Sequence, residues 1–376
     1  MRSYWEQSQW MHADIAIIGG GIVGISTAIE CKTRHPEWRV FVLEQGLLPT
    51  GASTRNAGFA CVGSLSEIAS DIDIMGATAA ADLVSARLRG LRILAERCAN
   101  ADVGYIEDGG SEIFFDKHSS LDRMSEINQL LQPIFSCDTF RLRNELISKY
   151  GLRNTLHALV HTPFEGTLHS GKLLRQLWLL AQSLGVDIRT GATVRGIDTA
   201  ERQPHIDVEV SGTQHTLRTE RVVLATNARI PELLPASQAP AIKPGRGQVI
   251  VTKPIANLAL RGSFHADEGF YYFRTIDGRV LLGGGRNLNF EEEETTSFST
   301  TNEIQNALEE MLRTTIVPNH ADVEIDLRWA GTMGFTEHKQ PYVDFVHPST
   351  VVAFGCNGMG VAMSSVVAER VAELLS

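Results

Sequence analysis

The first apolar positions of the chain predict a strand, a helix and a second strand in succession. Residues 14–18 are almost all apolar and glycines follow at once, which is typical of a buried parallel strand. From Ile22 to Lys32 apolar residues recur every three or four positions, as on one face of a helix. Pro36 ends that helix, and residues 39–44 form a second apolar run. The spacing therefore predicts a βαβ unit.

The rest of the chain alternates between helical and strand-like segments. Helical spacing recurs over residues 72–97, 120–150, 171–184 and 363–375. Strands are predicted at residues 186–190, 194–197, 206–210, 221–225 and 351–354. Between residues 248 and 285 the alternation predicts antiparallel strands, with a hairpin turn at Asp277-Gly278. The acidic run 291–294 is interpreted as a solvated loop rather than a metal site.

These segments predict an α/β fold with two domains, one of them discontinuous. The 376 residues exceed what one simple core usually carries. We expect a Rossmann-like nucleotide-binding domain comprising residues 12–85, 151–245 and 326–376. A second domain, built on an antiparallel sheet and binding the substrate, is expected to comprise residues 86–150 and 246–325.

Composition excludes several classes of function. The formal charge of −10 argues against a nucleic acid or an anionic membrane as partner. No apolar run is long enough to predict a membrane span, and the N-terminal residues do not follow a signal-peptide pattern. The five cysteines are far apart and never in a CxxC pair, which suits a reducing cytoplasm and argues against a zinc site. We therefore expect a cytoplasmic protein without a metal, and the oligomeric state is left open.

The strongest local motif is Gly19-Gly20-Gly21-Ile22-Val23-Gly24, between the first strand and the helix. Gly19 permits a tight turn, Gly21 lets the backbone approach a pyrophosphate, and Gly24 lets the helix pack close to the sheet. The N–H groups at the helix start, from Ile22 and Val23, favour phosphate. Glu44 follows about 20 residues later, where a carboxylate binds ribose hydroxyls and repels a 2′-phosphate. The motif predicts a dinucleotide site but does not separate FAD from NAD.

Residues 51–59 distinguish these two cofactors, because they lie where a long dinucleotide extends past its ribose. The segment reads Gly-Ala-Ser-Thr-Arg-Asn-Ala-Gly-Phe, small and polar, with Arg55 available to a phosphate or a flavin. Together with the glycine motif and Glu44, it resembles the FAD site of the D-amino-acid oxidase superfamily. The resemblance is nearest to the glycine oxidase, sarcosine oxidase and γ-glutamylputrescine oxidase branches.

Three later segments extend the resemblance over nearly the whole chain. Residues 271–285 resemble substrate-domain strands, residues 329–336 resemble the strand that enters the flavin face, and residues 355–360 resemble the C-terminal turn. In the family, N–H groups of that turn lie near flavin N1 and the C2 carbonyl, where they stabilise the charge that hydride brings. The resemblance implies a GR2-type FAD domain interleaved with the substrate domain. Its further FAD-binding positions are Gln45, Ser53, Thr54, Arg55, Asn56, Ala57, Gly58, Val194, Thr226, Asn227, Gly331, Asn357, Gly358, Met359 and Gly360.

Departures from the family pattern affect two expectations, how FAD is attached to the protein and which substrate it oxidises. The chain has no cysteine at Gly331 or Thr332 and no histidine near Asn56, so FAD is expected to be non-covalent. Relatives that act on D-amino acids carry an arginine at about Met333, and its absence favours an amine. Alternatively, Arg274 or Arg286 clamps a substrate carboxylate, unless these arginines form surface ion pairs.

Five side chains are candidates for the substrate side of the site: His169, Tyr272, Arg274, Arg286 and Met333. His169 resembles a histidine near the flavin face, but it is as readily a structural residue at a helix start. Tyr271 and Tyr272 alternate across a strand, so at most one faces the site. Cys61 and Cys356 lie in flavin-proximal segments but do not by themselves indicate thiol chemistry.

The resemblance implies a reaction in which a small amine or amino acid loses a hydride to flavin N5. The resulting imine hydrolyses, and no catalytic acid or base is obligatory. The electron acceptor is O2 or another carrier; residues 278–286 contain no lysine, where some relatives carry one that activates oxygen. Two alternatives stay open here, an NAD-dependent dehydrogenase and a non-catalytic flavin-binding protein.

Overall fold

A computed structural model describes residues 3–199, 203–320 and 322–376. Its α-helices are α1 (Tyr4–Trp10), α2 (Ile22–Arg34), α3 (Ala52–Arg55), α4 (Leu65–Met75), α5 (Ala77–Arg97), α6 (Ser119–Asp122), α7 (Met124–Phe135), α8 (Glu145–Lys149), α9 (Ser170–Ser183), α10 (Phe290–Glu293), α11 (Asn302–Met311) and α12 (Gly360–Leu375). Its strands are β1 (His12–Ile18), β2 (Val40–Leu43), β3 (Phe59–Ala60), β4 (Gly110–Phe114), β5 (Arg141–Leu142), β6 (Ala158–Thr162), β7 (Gly166–Thr167), β8 (Asp187–Arg189), β9 (Ala192–Asp198), β10 (His205–Val210), β11 (Thr213–Leu224), β12 (Lys243–Thr252), β13 (Ser263–Ala266), β14 (Tyr271–Ile276), β15 (Arg279–Gly284), β16 (Ile325–Phe335), β17 (Tyr342–His347) and β18 (Thr350–Phe354).

The first sheet is parallel at its centre and contains the predicted βαβ unit. Its strand order is β17-β18-β11-β1-β2-β8, and β10 and β9 extend it from β11. The five strands from β18 to β8 are parallel, whereas β17, β10 and β9 pair antiparallel. Helix α2 follows β1 directly and packs on it through a core that includes Ile15, Ile25 and Val42. The carboxyl ends of these strands carry the loops that position the site.

The second sheet is largely antiparallel and has the order β16-β12-β15-β14-β13-β4-β6-β5. One pair, β13 with β4, is parallel. Phe264 and Phe273 stack with ring centroids 4.7 Å apart in the core under this sheet. At the predicted hairpin, Asp277 and Gly278 both have positive φ, at 50° and 71°, as a tight turn between β14 and β15 requires. The predicted α/β fold with a second, antiparallel sheet is confirmed.

Strand pairing departs from the predicted domain boundaries at two segments. Strands β6 and β16 were both expected in the nucleotide-binding domain, but they pair with β4 and β12 in the second sheet. The pairing partner of a strand is not specified by the strand's own residues, so the local pattern does not tell which sheet β6 and β16 join. The boundaries within residues 151–245 and 326–376 therefore need correction at these strands.

Three helical predictions also differ from the structure. The helix predicted over 72–97 is two helices, because Gly76 takes a φ of +86° between α4 and α5. The segment 120–150 contains the short strand β5 as well as helices. Helix α12 begins at Gly360, three residues before the predicted start, so its first turn reaches the glycine-rich segment 355–360.

The interpretation of the acidic run as a solvated loop is wrong for Glu293. Residues Phe290–Glu293 form α10, and the Glu293 side chain is buried. Both of its carboxylate oxygens accept hydrogen bonds from the buried Arg246, at 2.6 and 2.8 Å. A paired guanidinium offsets the cost of burying that carboxylate.

None of the helices in the described part of the chain has both the length and the apolar character needed to cross a bilayer.

Candidate functional site

A cavity of about 720 Å³ is lined by residues of both sheets. Small-molecule sites commonly measure roughly 300–1,000 Å³. One wall is formed by the turn between β1 and α2, the end of β2 and the segment 49–57. The other wall is formed by β12 to β16 and the turn before α12. The cavity therefore extends from the nucleotide motif to the antiparallel sheet.

Most of the predicted FAD-binding residues line this cavity. They are Gly19, Gly21, Ile22, Val23, Glu44, Gln45, Ser53, Arg55, Asn56, Ala57, Val194, Thr226, Asn227, Gly331, Asn357, Gly358, Met359 and Gly360. The remaining three, Gly24, Thr54 and Gly58, lie behind the wall. The Thr54 hydroxyl donates to the Pro49 carbonyl at 2.8 Å, and a Cβ on Gly58 would lie 2.2 Å from the Leu168 carbonyl oxygen. Thr54 and Gly58 therefore support the cavity wall instead of lining it, and Gly24 has the helix-packing position that the motif predicts.

The glycines of the first motif hold helix α2 tightly against β1. Gly19 has a φ of +105°, which favours glycine. A Cβ on Gly24 would lie 1.9 Å from the Gly19 carbonyl oxygen, so the predicted close packing of Gly24 is present. Gly21 precedes the helix and provides no side-chain cap, and the Ile22 N–H donates to Ser53 Oγ at 2.8 Å. Among the described residues, the Ser53 hydroxyl hydrogen and the other N–H groups of the first turn have no partner, so they can bind an anion.

Glu44 is held in place by backbone donors at the end of β2. Its Oε2 accepts from the Gly20 N–H at 3.0 Å and its Oε1 from the Gly46 N–H at 2.9 Å. Trp178, which the sequence did not indicate, donates from Nε1 to the Gly20 carbonyl at 2.9 Å. The carboxylate is nearly buried, and each oxygen retains a lone pair for a hydroxyl of the ligand.

Glu44→Gln is expected to weaken FAD binding by about tenfold, which corresponds to about 1.4 kcal/mol. An amide keeps the size of the side chain but turns one acceptor into a donor that faces a backbone N–H. Equilibrium titration of the apoprotein with FAD measures the change. Glu37→Gln, which removes an exposed carboxylate outside the cavity, is the control and should bind FAD as the unaltered protein does. Equal affinities for all three proteins would contradict the predicted ribose contact.

The segment 51–59 is organised by Asn56. Its Oδ1 accepts from the Gly58 N–H at 2.8 Å and from Ser170 Oγ at 2.7 Å. Arg55 lines the cavity, but its Nε and Nη1 donate to the carbonyls of Thr50 and Ala330. Arg55 thereby ties the segment to β16.

The turn before α12 brings a second helix start to the cavity. Asn357 has a φ of 48°, and its Oδ1 accepts from the Thr336 N–H at 2.8 Å. No side chain of the described residues caps the helix at Met359. Its first N–H groups therefore offer partial positive charge to a ligand.

Three of the five substrate-side candidates line the cavity: Tyr272, Arg286 and Met333. Tyr272 packs where Gly283 leaves room, since a Cβ there would lie 2.5 Å from the Tyr272 ring. Burial raises the pKa of Tyr272 to about 12, against a smaller opposing effect of Arg286. Tyr271 does not line the cavity, in agreement with the predicted alternation.

Arg286 is the candidate whose charged group is available. Its guanidinium lies 4.2 Å from the Phe335 ring centroid and 5.3 Å from those of Phe270 and Phe290. It forms no hydrogen bond or ion pair with another side chain in the part of the chain that the structure describes. Burial lowers the pKa of Arg286, and Tyr272 partly offsets this. A partly desolvated guanidinium with unused donors can bind an anion.

Arg274 and His169 do not have the predicted positions. Arg274 is buried behind the wall and donates to the carbonyls of Gly58 and Leu168 at 2.8 and 2.7 Å, and to that of Ala57 at 3.3 Å. Its donors are used by the backbone, so the substrate role is corrected to a structural one. His169 is exposed and caps α9, its Nδ1 accepting from the Lys172 N–H at 3.2 Å. The structural interpretation of His169 therefore fits its position.

The sequence did not reveal a buried polar cluster next to the cavity. His265 lines the cavity, its Nε2 lies 3.0 Å from Glu165 Oε2, and its Nδ1 lies 3.7 Å from Glu67 Oε2. Burial by itself lowers the pKa of His265, but Glu165, Glu67 and Glu112 outweigh it and raise the pKa to about 9. Burial raises the pKa of Glu112 to about 7, although Ser66 donates to that carboxylate. These residues come from separate segments, so no spacing pattern marks them.

The cavity as a whole fits a long dinucleotide. Two helix starts without a side-chain cap open onto it, and Glu44 stands at one end. The hydroxyl of Thr226, which lines the cavity, is buried without a hydrogen-bond partner among the described residues. An unsatisfied buried hydroxyl at a cavity wall indicates a polar ligand group there.

Known proteins resemble the chain over nearly its whole length. The family model DAO, described as FAD dependent oxidoreductase, matches residues 14–374. A probable oxidoreductase OrdL of Haemophilus influenzae is 26% identical over 98% of this chain and 84% of its own. The gamma-glutamylputrescine oxidoreductase of Escherichia coli is 25% identical over 96% of this chain and 83% of its own. The crystal structure of glycine oxidase from Geobacillus kaustophilus has the same fold, with a TM-score of 0.78, 22% identity and coverage of 97% and 95%.

Proposed function

Because the chain belongs to the DAO family of FAD dependent oxidoreductases, we propose that it oxidises the carbon–nitrogen bond of a small amino acid or amine. The family that the motifs predict is confirmed, as is FAD as the cofactor. The NAD-dependent alternative is set aside because the family is one of FAD dependent oxidoreductases. The non-catalytic alternative is set aside because the relatives are named as oxidoreductases. Relatives named for glycine and for gamma-glutamylputrescine support a substrate with an amino nitrogen.

The guanidinium of Arg286, which is available to a ligand, supports a substrate that bears a carboxylate. It lies in the same cavity as Tyr272 and Met333, and aromatic rings shield it from water. An arginine in that setting binds a carboxylate through two parallel hydrogen bonds. We therefore favour an amino acid, or another amine that bears a carboxylate, over a simple amine.

Two helix starts in the cavity would contact different parts of the cofactor, one the pyrophosphate and the other the ring system. The start of α2 with Ser53 would hold the pyrophosphate, and Glu44 would bind the ribose hydroxyls. The turn 355–360 and Gly331 would lie against the ring system. When bound, FAD supplies a two-electron acceptor for a hydride.

The protein's own contribution is positioning, desolvation and charge stabilisation. Arg286 would fix the substrate through its carboxylate, so that the carbon next to nitrogen has one orientation. Tyr272 and the rings around Arg286 narrow the space left for water. The helix start at Gly360 would stabilise negative charge that develops beside it. No side chain has to act as an acid or base in this scheme.

FAD is expected to be released when the protein is unfolded. No cysteine occupies positions 331 or 332 and no histidine stands near residue 56, so the side chains that link the cofactor in covalently attached relatives are missing. Acid precipitation followed by absorption spectroscopy of the supernatant measures the release. A yellow pellet that retains its flavin would contradict non-covalent binding.

Anaerobic reduction with matched compounds tests the proposed function. The purified protein is mixed with amino acids, with the corresponding amines without carboxylate, and with 2-hydroxy acids. Loss of the flavin absorbance with amino acids supports the proposal, and admission of air then tests O2 as acceptor. Reduction by 2-hydroxy acids alone would overturn it, since these compounds have no carbon–nitrogen bond to oxidise.

A further inference from the structure

The buried cluster beside the cavity contains three side chains of the types that bind transition metals. They are Cys61, which follows β3, Glu165, which precedes β7, and His265 on β13. One ligand atom from each lies within 4.8 Å of the other two, and the three residues are 6%, 1% and 5% exposed. A thiol, a carboxylate and an imidazole at this separation can close around one ion with little movement.

From this arrangement we propose that Cys61, Glu165 and His265 form a binding site for a divalent transition-metal ion of the Zn²⁺ type. Thiolate sulfur and imidazole nitrogen are ligands that Mg²⁺ and Ca²⁺ do not favour, whereas Zn²⁺ accepts sulfur, nitrogen and carboxylate oxygen together. Three protein ligands leave a fourth position for water or a small molecule.

One carboxylate oxygen of Glu165 lacks a partner, which indicates that a further ligand binds beside it. Its Oε2 accepts from Ser263 Oγ and lies 3.0 Å from His265 Nε2. Its Oε1 is buried without a hydrogen-bond partner among the described residues. A carboxylate oxygen that has left water requires a partner, and a metal ion would provide it.

The surroundings of the three residues are built to hold them in place. A Cβ on Gly110 would lie 2.0 Å from Glu165 Oε2, so only glycine leaves room for that carboxylate. Ser263 orients it by a hydrogen bond of 3.0 Å. The second ring nitrogen of His265 faces Glu67, as carboxylates commonly stand behind a ligating histidine.

The carboxylates of Glu165, Glu67 and Glu112 favour a positive charge at the His265 imidazole. A metal ion bound to that ring would take the place of its proton. The nearby guanidinium of Arg87 is engaged with Asp71 at 3.5 Å and donates to the Val62 carbonyl. Cys61 and His265 both line the cavity, which gives an ion a path to the site.

Zinc loading of the FAD-containing protein tests this site. The protein is dialysed against a chelator, mixed with one equivalent of zinc sulfate, desalted and analysed by plasma mass spectrometry. We expect about one zinc per chain, and at least about tenfold weaker binding after Cys61→Ala or Glu165→Gln. Cys356→Ala is the matched control, because Cys356 also lines the cavity but is not one of the three clustered ligands, and it should keep its zinc.

X-ray absorption at the zinc edge identifies the ligands. One sulfur at about 2.3 Å with nitrogen or oxygen at about 2.0–2.1 Å is the expected first shell. The flavin spectrum and the melting temperature establish that each variant is folded. Zinc that binds equally to the Cys61→Ala protein, zinc without a sulfur neighbour, or no retained zinc would overturn the proposal, and the first two would show an adventitious ion only. None of these readouts depends on the amine-oxidising activity.

Discussion

Arg286→Met is expected to lower kcat/KM for an amino-acid substrate by about a hundredfold and to leave the flavin spectrum unchanged. Hydrogen bonds between charged partners contribute about 1.5–3 kcal/mol, and 2.8 kcal/mol corresponds to a hundredfold change. Methionine fills much of the same volume between Phe270, Phe290 and Phe335, so the aromatic surroundings should keep their packing.

The dependence on the substrate's carboxylate distinguishes binding from a general disturbance. The corresponding amine without a carboxylate should be oxidised equally by the Arg286→Met protein and the unaltered one. Arg279→Met is the control, because Arg279 lies on the neighbouring strand β15 outside the cavity and pairs with Asp326. Steady-state kinetics over both compounds provide the comparison. A loss of activity that is the same with and without the carboxylate would rule out the clamp.

Gly24→Ala is expected to destabilise the protein by about 3 kcal/mol and to weaken FAD binding by about a hundredfold. The added methyl group would lie 1.9 Å from the Gly19 carbonyl oxygen and 3.4 Å from the Ala225 side chain. Backbone atoms cannot yield as a flexible side chain does, so helix α2 must move away from β1 at a cost typical of overpacking. The first-turn N–H groups would then be displaced from Ser53 and from the pyrophosphate that we propose they bind.

Thermal unfolding and FAD titration measure these two effects on Gly24→Ala. The control is Gly196→Ala, which makes the same chemical change in β9 at a position with no atom within 4 Å of the new methyl group. It should match the unaltered protein within about 0.5 kcal/mol. If Gly24→Ala binds FAD as tightly as this control, the close contact between helix and strand is not needed for the cofactor site.

Local sequence was sufficient to predict the nucleotide half of the cavity. Each of these features lies close to a strand in the sequence: the glycine motif follows β1, and Glu44 and the segment 51–59 follow β2. Their positions relative to these strands are therefore set by the local chain. The predicted packing at Gly24 and the position of Glu44 follow directly from a strand that turns into a helix. Family resemblance added the flavin role of the segment 51–59 and the turn 355–360, whose placement no periodicity indicates. It also added the separate positions Val194, Thr226, Asn227 and Gly331.

The substrate half could be predicted only in part, because it depends on which partners each side chain meets. Arg274 and Arg286 are equivalent in the sequence, yet one guanidinium is used by backbone carbonyls and the other is available. Strands β6 and β16 likewise reveal their sheet only through pairing. The cluster around His265 collects residues from four segments that are distant in the sequence, and the spacing of the cysteines, which argued against zinc, carried no information about it.

The buried guanidinium of Arg274 limits how this protein can be recombined with its relatives. It belongs to β14 of the second sheet, yet it donates to the carbonyls of Gly58, in the segment 51–59, and of Leu168, just before α9. A chimaera that takes its nucleotide half from one relative and its substrate half from another would separate the donor from its acceptors. Protein engineers who exchange substrate specificity by swapping domains should therefore transfer β14 and these two loops together.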